Sequence, residues 1–137
     1  MTQEDKQLLL KDLCARLPYG VKVESVFINT DTKKRKSCGI EVFDATCILM
    51  IRDGFGEFKP YLFPLSSITE GQKDQISQLL LDAKIEFPPY EEDYANLLVS
   101  SIKQSNALIN YCLANHFDIN GLIEKGLAID ATGLNIY

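Results

Sequence analysis

Three changes of pattern along the chain predict an α+β domain with an N-terminal helix, a small, mainly antiparallel sheet of about four strands, and C-terminal helices. Leu9, Leu13 and Leu17 recur at helical spacing, then Val21 and Val23 alternate with Lys22 and Glu24 as in a half-buried strand. Helical spacing returns at Ile76 and persists to Leu113. At 137 residues, 46% of them apolar, the chain has material for one packed domain without metal or disulfide staples. The expected division is a helix, sheet and helix part through residue 87 and a helical tail, 88–137, packing on it.

Thr2 followed by Asp5 marks the start of the first helix, with acid in its first turn. Leu10 and Cys14 flank its leucine stripe, and Pro18 with Gly20 ends it. After Val21 and Val23, the consecutive apolar residues Val26, Phe27 and Ile28 break the alternation and predict a bulge or a strand covered on both faces. Asn29-Thr30-Asp31 opens a loop with Lys33-Lys34-Arg35-Lys36 at its tip. Cys47 to Ile51 is a continuous apolar run and reads as the central, most buried strand. Asp53-Gly54 and Gly56 read as a hairpin turn, and Phe58 to Leu62 as an edge strand because Pro60 cannot donate to a ladder.

Thr69 and Gln72 form a capping-box pattern before a second helix whose apolar face is Ile76, Leu79, Leu80 and Ala83. Phe87-Pro88-Pro89-Tyr90 reads as an extended connector. Glu91, Glu92 and Asp93 then suit the positive end of a third helix. Tyr94, Leu98, Ile102, Ile109 and Leu113 give that helix one long face, and Asn115 is the expected left-handed residue at its end. The stretch from His116 to Asp130 alternates stop signals with apolar pairs, and reads as a tight turn, a short helix and an extended exit.

A formal net charge of −5 and a pI near 4.8 argue against bulk electrostatic binding to nucleic acid or anionic membrane. The polar, acidic start of the chain has no leader pattern, and no apolar run reaches the ~18–20 residues that span a bilayer. The expectation is a cytoplasmic protein with no membrane contact. Cys14, Cys38, Cys47 and Cys112 form no C-x-x-C pair, and His116 is the sole histidine, so zinc spacing cannot be built. Buried thiols are expected, with no metal and no cofactor.

Four groups of residues carry possible chemistry. Lys33, Lys34, Arg35 and Lys36 offer a phosphate-contacting loop, each neutralised phosphate adding affinity by counterion release. Without interleaved aromatics, in an acidic chain, the run reads first as a solvated hairpin tip. Cys112 lies one helical turn before His116, the minimal spacing of a thiol–imidazole pair, with Asp118 beyond. Because Cys112 falls on the apolar face, packing is the preferred reading. Glu91 to Asp93 diverge around a helix axis and do not converge on an ion. Tyr90, Tyr94, Tyr111, Phe117 and Tyr137 form a possible partner surface, tyrosine being enriched at interfaces, or else close a small core.

Three segments together resemble an uncharacterised family of small hypothetical proteins common in gut Bacteroidetes genomes and their prophages and mobile elements. They are Lys11 to Gly20, Pro60 to Thr69 and His116 to Asp130. The resemblance implies a bacterial or phage setting and an accessory role, and it carries no activity. The leading functional expectation is a non-enzymatic protein-interaction module with a protein partner or a homodimer face. The alternatives are a nucleic-acid accessory using residues 33–36 and an enzyme with Cys112 and His116 in a cleft.

Overall fold

The computed structural model describes residues 2–84, 98–99, 101–102 and 104–137. It is an α+β structure built on a four-stranded mixed sheet in the order β2-β1-β3-β4. The strands are β1 (Lys22–Ile28), β2 (Arg35–Val42), β3 (Gly56–Leu62) and β4 (Ile129–Asp130). Among the described residues the helices of eight or more residues are α1 (Gln3–Ala15), α2 (Ala45–Asp53), α3 (Glu70–Asp82) and α4 (Asn106–Ala114). β1 pairs antiparallel with both β2 and β3, while β4 runs parallel to β3.

α1 begins where its cap is strongest. The Thr2 hydroxyl accepts the Asp5 N–H at 3.0 Å, and the Asp5 carboxylate accepts the Thr2 N–H at 3.2 Å. Each satisfies a backbone donor that the helix leaves free. Leu9 and Leu13 are buried, and the helix passes through a short 3-10 turn at Leu17–Tyr19 to Gly20 at φ 67. α3 has the same device, Thr69 accepting the Gln72 N–H at 3.2 Å and Gln72 accepting the Thr69 N–H at 2.9 Å. Ile76 and Leu80 are buried on it, whereas Ala83 is the exposed residue that caps its end.

The apolar run from Cys47 to Ile51 is not the central strand: it forms most of α2. A short apolar run fits a strand or a buried helix equally well, and flanking residues arbitrate. Here the Asp44 carboxylate caps the start by accepting the Cys47 N–H at 3.2 Å, and Gly54 at φ 76 closes the end. Accordingly Leu49 is 49% exposed while Cys47 is buried. Asp53 to Gly56 therefore joins a helix to a strand and is no hairpin.

The strand containing Pro60 is also not at an edge, because β3 lies between β1 and β4. In an antiparallel pair successive residues direct their backbone groups to alternate sides. The Ile28 N–H donates to the Phe55 carbonyl. Counting along the register, Glu57 and Lys59 face β1, while Gly56, Phe58 and Pro60 face away. The donor that Pro60 lacks would point to the side where β4 pairs only with Tyr61 and Leu62. No ladder bond is lost. The bulge expected in the strand of Val26 to Ile28 lies in its partner instead: Ser25 pairs with Gly39 and Val26 with Ser37, leaving Cys38 of β2 as the extra residue.

The long third helix is broken. Leu98 and Ile102 are helical and buried, but Ser105 adopts φ −145 and its hydroxyl accepts the Leu108 N–H at 3.3 Å, starting α4. The residue in the left-handed region after α4 is His116, at φ 62, and not Asn115, whose side-chain amide instead donates to the Tyr111 carbonyl at 2.9 Å. From His116 to Ala128 the chain forms turns with no helix, then exits as β4. Asp118 organises these turns by accepting the Leu122 and Ile123 N–H groups at 2.9 and 3.0 Å.

Two apolar clusters result. One joins Leu9, Leu13, Val23 and Phe58 to Leu122 and Leu127, so the C-terminal segment packs on α1 and the sheet of its own chain. The other joins Ile76 and Leu80 of α3 to Leu98, Leu108, Cys112 and Phe117.

Candidate functional site

β2 is exposed at every one of its positions. Asn29 sets the turn before it, its side-chain oxygen accepting the Asp31 and Thr32 N–H groups at 2.9 and 3.1 Å. Lys33 follows at φ 59, so Lys33 and Lys34 form the tip while Arg35 and Lys36 open the strand. Strand alternation sends Arg35 and Lys36 to opposite faces. Arg35 is held by Glu57 of β3, one branch at 3.0 Å. The four basic residues thus share a segment without forming one patch.

Beyond the bulge, Gly39 sits at φ 82 and the strand continues through Ile40 and Val42, which are 53% and 51% exposed. Their backbone orientation follows from the ladder. The Phe43 N–H donates to the Val21 carbonyl, so Glu41 and Gly39 face β1, while Ile40 and Val42 direct their N–H and C=O groups outward. No strand pairs with that outer side among the described residues. β2 therefore presents apolar side chains beside unpaired backbone donors and acceptors.

A polar node lies inside the molecule. Asp12 and Arg16, one turn apart on α1, are fully buried and joined by two hydrogen bonds of 2.7 and 3.1 Å. Arg16 also donates to the Phe117 carbonyl at 2.7 Å, and Asn120 donates to Asp12 at 2.8 Å. The node ties α1 to the C-terminal segment. Sequence reasoning missed it, although Leu9, Asp12, Leu13 and Arg16 follow the i, i+3, i+4, i+7 spacing of one helix face. A polar pair within an apolar stripe was the available signal.

His116 lies beside this node and stacks on Tyr137, with ring centroids 3.7 Å apart and planes 11° from parallel. The Tyr137 hydroxyl donates to the Tyr61 carbonyl at 2.7 Å and accepts the Lys22 N–H at 2.9 Å. Burial, with Arg16 and Lys22 nearby, depresses the His116 pKa from 6.5 to about 4. Burial also pushes the Cys112 thiol up to about 11 against the opposing influence of Arg16. The imidazole is neutral and the thiol protonated, the opposite of the ionised pair that nucleophilic chemistry uses.

The aromatic surface does not assemble as one patch. Phe117 is buried, Tyr111 is half-buried, and Tyr137 is engaged within its own chain. Tyr90 and Tyr94, like Glu91 to Asp93, lie outside the described residues. All four cysteines are free. Cys47 and Cys112 are buried as expected, whereas Cys14 and Cys38 are exposed, one on the outer face of α1 and one in the β2 bulge. No group of three or more His, Cys, Asp or Glu side chains is placed to hold a metal among the described residues. None of the described helices is long and apolar enough to cross a membrane. Comparison of the chain with protein-family models, curated proteins and solved structures returned no match.

Proposed function

We propose that the chain is a non-enzymatic protein-interaction module that receives a partner strand on the outer edge of β2. The observation that carries this reading is the exposure of the whole strand together with the outward backbone groups of Ile40 and Val42. Strand addition uses such main-chain groups for affinity and alternate side chains for specificity. The resemblance to the Bacteroidetes and prophage proteins supports an accessory role in a bacterial or phage cytoplasm. A second copy is the simplest partner, since β2 set antiparallel to itself continues the sheet across a twofold axis.

Ile40→Pro tests the proposal cleanly. It removes an outward N–H and leaves the bonds to β1 in place. Light scattering across a concentration series is expected to show reversible dimers for the native chain and monomers for the variant. A strict monomer at high concentration rejects the homodimer. Capture of one stoichiometric, nuclease-resistant partner that Ile40→Pro abolishes then identifies a different chain on the same edge. Capture insensitive to this change rejects the β2 edge altogether.

The nucleic-acid reading rests on Lys33, Lys34 and Lys36, since Arg35 is already paired with Glu57. It requires binding that weakens steeply with salt and falls when these residues are neutralised. The enzyme reading requires an accessible, ionised Cys112, and rapid thiol labelling of that residue in the folded protein is the result that supports it.

A further inference from the structure

The ladder between β1 and β3 ends in a side chain. Glu57 and Lys59 direct their backbone groups toward β1, and by the same alternation so do Tyr61 and Phe63. Phe63 meets the segment after α4, its N–H donating to the His116 carbonyl at 2.8 Å and its carbonyl accepting the Asp118 N–H at 2.9 Å. Lys22 stands opposite Tyr61, one step beyond the Val23–Pro60 pair. The Tyr137 hydroxyl occupies that rung: it accepts the Lys22 N–H at 2.9 Å and donates to the Tyr61 carbonyl at 2.7 Å.

The ring is held as specifically as the hydroxyl. His116 stacks on it with centroids 3.7 Å apart, Phe63 tilts against it at 5.8 Å, and the Lys22 ammonium stands 5.8 Å from its centroid. The strap that carries the ring, residues 132–137, is by contrast lightly tied. Among the described residues neither apolar cluster includes any part of it. Thr132 to Asn135 are exposed, Gly133 and Asn135 take φ 77 and 53, and the Lys22 ammonium holds the Ile136 carbonyl at 2.7 Å. Segments with few buried apolar contacts open locally without global unfolding. Withdrawal of Tyr137 strands no backbone group, because the Lys22 N–H and the Tyr61 carbonyl are then free to close the rung on each other.

We infer that this slot is a binding site for small 4-substituted phenols, with Tyr137 as its internal occupant, and that a free phenol enters by displacing the strap. The ring supplies affinity by stacking and by leaving water. The hydroxyl supplies selectivity, since the Lys22 N–H needs an acceptor and the Tyr61 carbonyl needs a donor. Burial raises the Tyr137 pKa, so the neutral phenol is held in preference to the phenolate. A ring tethered by a short linker competes at about millimolar effective concentration. The apparent affinity of a free phenol for the native chain is therefore lowered by the fraction of chains whose slot is open.

The test titrates the native chain and full-length Tyr137→Ala with 4-ethylphenol and with 4-ethylanisole, whose ether oxygen accepts a hydrogen bond but donates none. Amide shifts at Lys22, Phe63 and Phe117 and the ring resonances of His116 report the slot. Tyr137→Ala is expected to bind 4-ethylphenol saturably, with a Kd of about 0.1–3 mM. In that variant 4-ethylanisole should bind about tenfold more weakly, because the Tyr61 carbonyl is left without its donor. The native chain should bind 4-ethylphenol about tenfold more weakly than the variant does. Absence of saturable shifts in the variant overturns the site. Equal affinity for the two probes overturns the recognition of the hydroxyl. Equal affinity of the native and variant chains overturns Tyr137 as the competing occupant. Loss of the dispersed amide spectrum in Tyr137→Ala overturns the releasable strap. Contacts between Tyr137 and His116 of different copies, in a mixture of labelled and unlabelled native chains, overturn the small-molecule occupant in favour of strap exchange.

Discussion

Arg16 concentrates the main energetic risk in this protein. Its guanidinium is fully buried, pairs with Asp12, donates to the Phe117 carbonyl, and leaves Nη1 without a hydrogen-bond partner among the described residues. Desolvating two charges costs several kcal/mol per ion, and their mutual attraction with added hydrogen bonds offsets this. Losing one member leaves the other charge buried and alone. Arg16→Met is therefore expected to destabilise the fold by about 3–5 kcal/mol in urea unfolding. Asp12→Leu combined with Arg16→Met should cost less than the worse single change, because no charge remains. A double variant as unstable as the sum of its singles would show that the node acts through packing. Sequence spacing placed both residues on the buried face of α1, but charge alone is normally read as solvent exposure, which hid the node.

Local chemistry at the ends of elements decided most of their boundaries. The capping pairs Thr2–Asp5 and Thr69–Gln72 were legible because a cap needs only residues three apart. Two end signals went unrecognised. Asp44 and Gly54 bracket α2, yet the apolar run between them resembled a strand. Ser105 interrupts what the periodicity of Leu98, Ile102, Ile109 and Leu113 presented as one helix. Apolar spacing survives a break whenever both pieces pack on the same core, as they do here. Ser105→Ala is expected to cost about 1 kcal/mol or somewhat more, since its hydroxyl satisfies a buried N–H. Thermal or urea unfolding measures this. A neutral result would mean that Leu108 finds another acceptor.

At the level of the whole molecule, the C-terminal residues close the structure. Tyr137 links Lys22 of β1 to Tyr61 of β3, and His116 stacks on its ring. The folded state holds this imidazole neutral, with its pKa lowered from 6.5 to about 4. Between these values the unfolded chain binds a proton that the folded one refuses, so stability falls as pH drops from 6.5 toward 4. Below pH 4 both states are protonated and this contribution no longer changes. The transition temperature is expected to decrease across that window, with Arg16 and Lys22 as the opposing cations. His116→Asn, which tolerates the left-handed backbone, should flatten the decrease. An unchanged slope would assign the acid sensitivity to other groups.

From sequence alone, the composition and the two hydrophobic periods determined the α+β class, the first helix, the first strand and the cap of α3. These properties depend on neighbours within about four residues, and short-range rules describe them. Only the packed chain decided that β3 is internal, that Cys47 to Ile51 is helical, and that Asp12 and Arg16 meet Phe117 and Asn120. Pairing partners more than a hundred positions apart leave no local signature. The β2 edge belongs to the same category. Among the described residues its outer side is unpaired because β3 takes the other side of β1.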